Sequence, residues 1–157
     1  MHTKRRQVRE KVLQALYAYE LTHDPIGKIK EDLLCDISGE ENLSFANKLI
    51  DCAIDNKKKY EELIKNTVEN WELERIALID HIIIKMCMSE FYFFEEIPPK
   101  VSINEAIDLA KDYSTKNSGK FVNGILDSLL NRLTKEGEIK KRGKGLISAS
   151  KKPANKP

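Results

Sequence analysis

An all-α fold is predicted by three features of the sequence. Apolar residues recur at intervals of three and four through most of the chain, and strand-type alternation is nearly absent. Pro or Gly punctuates the periodic runs at Asp24-Pro25, Ser38-Gly39 and Pro98-Pro99. With 157 residues, 41% hydrophobic and 33% charged, the chain can bury one real core. The expected architecture is a helical bundle of six or seven helices over residues 1–134, followed by a basic, disordered tail over 135–157.

In RRQVREKVLQALYAYEL, Val8, Val12, Ala15, Leu16 and Tyr19 form an apolar stripe, which predicts the first helix. Beyond Asp24-Pro25, IGKIKEDLLCDI predicts a short second helix ending near Ser38-Gly39. From Leu43 onward, Leu49, Ile50, Ala53 and Ile54 share a face, and Tyr60, Leu63, Ile64, Val68 and Trp71 continue a helical pattern. The polar run Asn56 to Lys59 is where that pattern bends or breaks.

The segment IALIDHIIIKMCMSEFYFF is apolar on nearly every side, as expected of a central helix surrounded by neighbours. Pro98-Pro99 stops it. The next helix is expected to start at SINEA, with the Ser102 hydroxyl capping and Glu105 reaching back as a capping box. Phe121, Val122, Ile125, Leu126, Leu129, Leu130 and Leu133 predict a last helix, with Asn117 or Ser118 as its N-cap.

Charge is unevenly spread. The net charge is only +2, yet residues 1–11 carry five basic groups against Glu10, and residues 135–157 carry eight against Glu136 and Glu138. Basic ends on an acidic middle suit a local polyanion contact. Lys4, Arg5, Arg6 and Arg9 lie off the apolar stripe, with Arg5 and Arg9 one turn apart, so their cationic groups form a patch suited to phosphate.

A second anion site is expected at YSTKNSGKFVNG, residues 113–124. Its Gly119-Lys120 pair resembles part of a P-loop, but Ser114 stands where the first glycine belongs and Phe121 where Ser or Thr is needed. A P-loop also follows a strand, whereas NEAIDLAKDY has helical spacing. The turn instead sets a helix N-terminus, with its unpaired amides and positive dipole end, beside Lys116 and Lys120. Asn117 and Ser118 add hydrogen-bond donors, and Phe121 either stacks on an unpaired base or packs into the core.

Other chemistries are not supported. Cys35, Cys52 and Cys87 are too far apart for a CxxC metal site or a disulfide framework, and read as reduced thiols. His2, His23 and His81 lack metal-ligand spacing, and no cofactor motif stands out. Asp80-His81 is a poor catalytic pair, since adjacent helical residues point in different directions. MHTKRRQVRE is too polar for a secretory leader, and no run of about 18 apolar residues exists to enter a membrane. These features predict a cytoplasmic protein without a membrane contact.

The segments WELERIALIDHIIIKMCMSEF and IPPKVSINEAIDLAKDYSTKNSGKFVNGILDSLL, with the opening RRQVREKVLQALYAYEL, resemble the NusB family of bacterial transcription antitermination factors. INEAIDLAK and KFVNGILD stand in that family's order and spacing. The resemblance implies an all-helical fold of two packed subdomains and no catalytic activity. It further implies binding to the boxA element of nascent ribosomal RNA, jointly with the ribosomal protein NusE, at an RNA polymerase elongation complex. Arg5, Arg6 and Arg9 match the family's arginine cluster, and Asn117, Ser118, Lys120 and Phe121 its second RNA-contact region. The two regions are therefore expected on one face.

For NusE, the matching stretch begins at Asp80 and His81 and extends to Lys85. The family commonly has Arg where His81 stands and Leu-Arg near Lys85-Met86. A monomer and a homodimer are both compatible with the sequence. Two other readings are a NusB-like RNA-binding module of a ribosomal RNA cytosine methyltransferase and a helical protein adaptor without RNA binding. The first would require a Rossmann-like methyl-donor domain, for which these residues show no strand-helix alternation.

Overall fold

In the computed structural model, residues 4–68 and 75–147 are described; Trp71 and the Trp-Glu-Leu-Glu run lie outside them, as do residues 148–157 of the tail. Seven α-helices and one short 3-10 turn appear among the described residues, with no strand. The chain divides into two compact units, Met1–Asn56 and Lys57–Pro157.

The first unit holds α1 (Arg5–Thr22), α2 (Ile26–Leu34) and α3 (Glu40–Asp55). The predicted stripe of α1 is realised, with Val8, Val12, Ala15 and Leu16 all buried. The helix ends where His23 turns into the left-handed region at φ 60°. Against these residues α2 contributes Ile29 and Leu34, and α3 contributes Phe45, Ala46, Leu49, Ile50 and Ala53. Helix α2 stops at Leu34, before the expected Ser38-Gly39 boundary. No residue from Cys35 to Gly39 is buried, so nothing there holds a further turn to the core. Gly39 then takes φ 95° to open α3 at Glu40, three residues earlier than Leu43.

The expected break at the polar run falls at Asn56, and the second unit starts with α4 (Lys57–Thr67). It continues with α5 (Leu78–Phe93), α6 (Pro99–Tyr113), α7 (Ser118–Lys135) and the 3-10 turn Gly143–Leu146. Every residue of α5 from Ile82 to Phe91 is buried, as a helix apolar on all sides requires. Helices α4, α6 and α7 pack around it, contributing Tyr60 and Ile64, Ile103 and Leu109, and Val122, Leu126 and Leu129.

The polar residues of α5 are matched to its neighbours. Lys85 Nζ meets Glu61 Oε2 at 2.8 Å, Ser89 Oγ donates to the Tyr60 hydroxyl at 3.1 Å, and Ser102 Oγ donates to Glu90 Oε1 at 2.6 Å. The last contact corrects the expected capping box. Pro98 is the N-cap and Pro99 the first residue of α6, where its missing N–H and preset φ cost nothing. The helix therefore starts before Ser102, and the buried Ser102 hydroxyl serves α5 instead.

The tail departs from the expected disorder as far as Ile147. Lys141 Nζ donates to the carbonyl oxygens of Glu90 and Phe94 at 2.8 and 2.7 Å, capping the C-terminal end of α5. The Arg142 amide donates to the Glu95 carbonyl at 3.0 Å, and the Arg142 side chain pairs with the Glu95 carboxylate at 2.9 Å. Gly145 lies so close that a Cβ there would fall 1.8 Å from the Glu95 carbonyl oxygen. Lysine-rich composition suggested a solvated chain, but one lysine binding two helix-end carbonyls is a tertiary feature.

Candidate nucleic-acid interface

The turn between α6 and α7 is built around Ser118. Its hydroxyl donates to Asp80 Oδ2 at 3.0 Å and lies 2.9 Å from the hydroxyls of Ser114 and Thr115, while the Thr115 amide donates back to it at 3.2 Å. Ser118 is therefore buried, a keystone of the turn rather than an open donor. Asn117 is the N-cap, as one of the two expected alternatives, but its side chain makes no capping hydrogen bond and it is exposed.

Lys116 and Lys120 are exposed and form no ion pair among the described residues. Phe121 takes an intermediate position. It is half-buried and lines a cavity of about 360 Å³ together with Ile76, Ala77, Asp80, Thr115 and Asn117. One ring face can thus serve the core while the cavity remains accessible to a planar apolar group.

In the first unit, the basic residues separate by exposure. Lys4 and Arg6 are exposed, Arg5 is half-buried, and Arg9 is only 4% exposed. Arg5 Nε donates to Asn42 Oδ1 at 3.1 Å, and its guanidinium sits 4.2 Å from the centre of the Phe45 ring. Arg9 lies over the same ring at 5.2 Å. Phe45 thus fixes both guanidinium groups by cation–π contact. Helical spacing put the three arginines on a common turn, but it did not foresee that Arg9 would be closed to solvent.

The residues expected to meet a protein partner also divide. Asp80 is 5% exposed and bound to Ser118, and Lys85 is buried in its pair with Glu61. Burial pushes the Glu61 carboxyl upward, but the hydrogen bond and charge of Lys85, with charge from Lys57 and His81, outweigh it and hold the group below its ordinary value. His81 is half-buried and, with Lys58, Glu61, Glu62 and Lys65, lines a second cavity of about 420 Å³. Of the three, His81 lines this second cavity, whereas Asp80 lines the one beside Phe121.

The sequence left no local signal for several of these relationships. Ser118 and Asp80 are 38 positions apart, and Arg5 and Asn42 are 37 apart. Among the described residues no group of His, Cys, Asp and Glu could hold a metal ion, and no helix is long and apolar enough to cross a membrane.

A family model described as the NusB family matches residues 6–131. The transcription antitermination protein NusB of Chloroherpeton thalassium is 41% identical over 152 residues, covering 94% of this chain and 71% of that protein. Among solved structures, NusB of T. maritima has a TM-score of 0.77 and 35% identity, over 83% of this chain and 93% of its own. A crystal structure of the antitermination factors NusB and NusE with double-stranded RNA includes a chain of the same fold. Its TM-score is 0.73 at 22% identity, over 82% of this chain and 96% of that one.

Proposed function

Because this chain belongs to the NusB family of transcription antitermination proteins, which are not enzymes, we propose that it binds boxA RNA of nascent ribosomal RNA transcripts together with NusE. By holding that RNA at the elongating polymerase, the pair supports complete synthesis of ribosomal RNA in the cytoplasm. The observation that carries the reading is the α6–α7 turn. Lys116 and Lys120 stand there without an ion pair, at a helix N-terminus beside the half-exposed Phe121 ring. Phosphate suits the cationic groups and the dipole end, and an unpaired base suits the ring. Lys4, Arg5 and Arg6 supply further phosphate contacts, with Arg9 setting the Phe45 ring beneath them.

NusE docks on the second unit around His81, while Asp80 and Lys85 support that surface from inside the fold. The solved NusB and NusE assembly with RNA lends this reading its partners. A binding titration of boxA RNA against a scrambled strand, with and without NusE, tests it. Tighter binding of boxA, enhanced by NusE, is expected; equal affinity for both strands in both conditions overturns it.

A further inference from the structure

Gly119 has a neighbour that explains its lack of a side chain. A Cβ built there would lie 3.2 Å from Cγ and 3.3 Å from Cε of Lys111, and 3.5 Å from Cγ2 of Ile107. The aliphatic stem of Lys111 thus crosses the first turn of α7 over a buried glycine. Its ammonium, one bond beyond Cε, is held beside that turn. We propose that Lys111 is a further RNA-phosphate ligand, seated on Gly119 so that its charge joins those of Lys116 and Lys120. This assignment rests on the RNA-binding reading above and adds a residue to its second contact region.

Three observations favour a ligand role over a merely structural one. The Lys111 residue is exposed, and its ammonium makes no ion pair or hydrogen bond among the described residues, although Asp108 and Asp112 are close in sequence. The amides of Gly119 and Lys120 find no backbone acceptor, whereas those of Ser118 and Phe121 donate to the carbonyls of Thr115 and Asn117. Two amides without a backbone acceptor and three lysines without an ion pair thus stand at one helix start, where the positive dipole end favours an anion. Finally, an ammonium lying along its stem has lost part of the rotamer freedom that a surface lysine keeps, so less is lost when it binds. An extended single strand, with a phosphate at each nucleotide, can engage all three lysines in succession.

The test compares Lys111→Met, which keeps the stem and removes the charge, with Lys111→Arg, which keeps the charge. Lys28→Met, exposed on α2 in the other unit, controls for net charge. Affinity for a single-stranded boxA RNA is measured from about 50 to 300 mM salt. Lys111→Met is expected to lower affinity about fivefold at low salt and to flatten the salt slope by about one unit, with the unfolding midpoint unchanged. Lys111→Arg should restore both. A slope for Lys111→Met equal to that of the wild type, or matched by Lys28→Met, overturns the assignment. If the wild-type protein binds no RNA, the functional reading itself fails, an outcome distinct from a flat response to the Lys111 variants.

Discussion

The Ser118 hydroxyl donates to the Asp80 carboxylate at 3.0 Å, joining the first turn of α7 to the first turn of α5. The other Asp80 oxygen is buried and has no hydrogen-bond partner, so this one donor carries most of what the structure offers the carboxylate. Ser118→Ala should therefore destabilise the protein by about 1–3 kcal/mol, the cost of leaving a buried acceptor unsatisfied. Chemical denaturation measures this directly. RNA affinity should fall as well, because the same hydroxyl anchors Thr115 and Ser114 in the turn. Wild-type stability in Ser118→Ala would remove the keystone role.

The arginines of α1 predict a division of labour. Arg6→Ala should weaken RNA binding and flatten its salt dependence by about one unit, with stability near wild type, because Arg6 is exposed. Arg9→Ala should lose about 1–3 kcal/mol of stability, because a buried guanidinium packed on Phe45 is removed. Paired unfolding curves and RNA titrations would show whether the two effects separate. Equal loss of stability in both variants contradicts the assignment.

Lys85 and Glu61 predict a pH response. The Glu61 carboxyl is held below its ordinary value, so the charged form is favoured in the folded state. The pair's contribution is therefore present above the unfolded value of about 4.3 and is lost as pH falls through the folded value. Glu61→Gln should be less stable than wild type at pH 7, and the gap should narrow as pH falls below the ordinary carboxylate range. Because Glu61 is partly exposed, the difference is expected to be modest. A gap that persists unchanged at pH 3 rules out this linkage.

Gly145 sits against the Glu95 carbonyl, which makes the strap from Glu138 to Ile147 sensitive to one methyl group. Gly145→Ala should detach it, since the clash is with backbone rather than with a flexible side chain. Hydrogen exchange at the Arg142 amide should rise by at least tenfold, and the unfolding midpoint should fall by a few degrees. Lys141→Met removes the two contacts to α5 carbonyls and should reproduce the effect in part. Unchanged exchange in both variants would show that the strap is not held as described.

Periodicity alone placed the helices, because a stripe such as Val8, Val12, Ala15 and Leu16 reports on backbone geometry and burial at once. The all-apolar run of α5 likewise announced a helix surrounded by others. The α6–α7 turn was legible as a helix start flanked by small residues and lysines, with Asn117 at its N-cap. What spacing could not convey was which polar groups look inward. Ser102 reads as a cap by its distance to Glu105, yet Glu90 on another helix claims its hydroxyl.

The amino-acid order by itself determined the helical class, the breaks at Asn56 and Pro98, and the basic character of the candidate RNA-binding residues, all consequences of local stereochemistry and charge. Tertiary structure decided that Arg9, Ser118, Asp80 and Lys85 are buried, that Lys111 crosses Gly119, and that the tail straps α5 as far as Ile147. All but the Lys111–Gly119 contact depend on partners distant in the chain, and exposure is settled only when helices far apart in sequence compete for the same space.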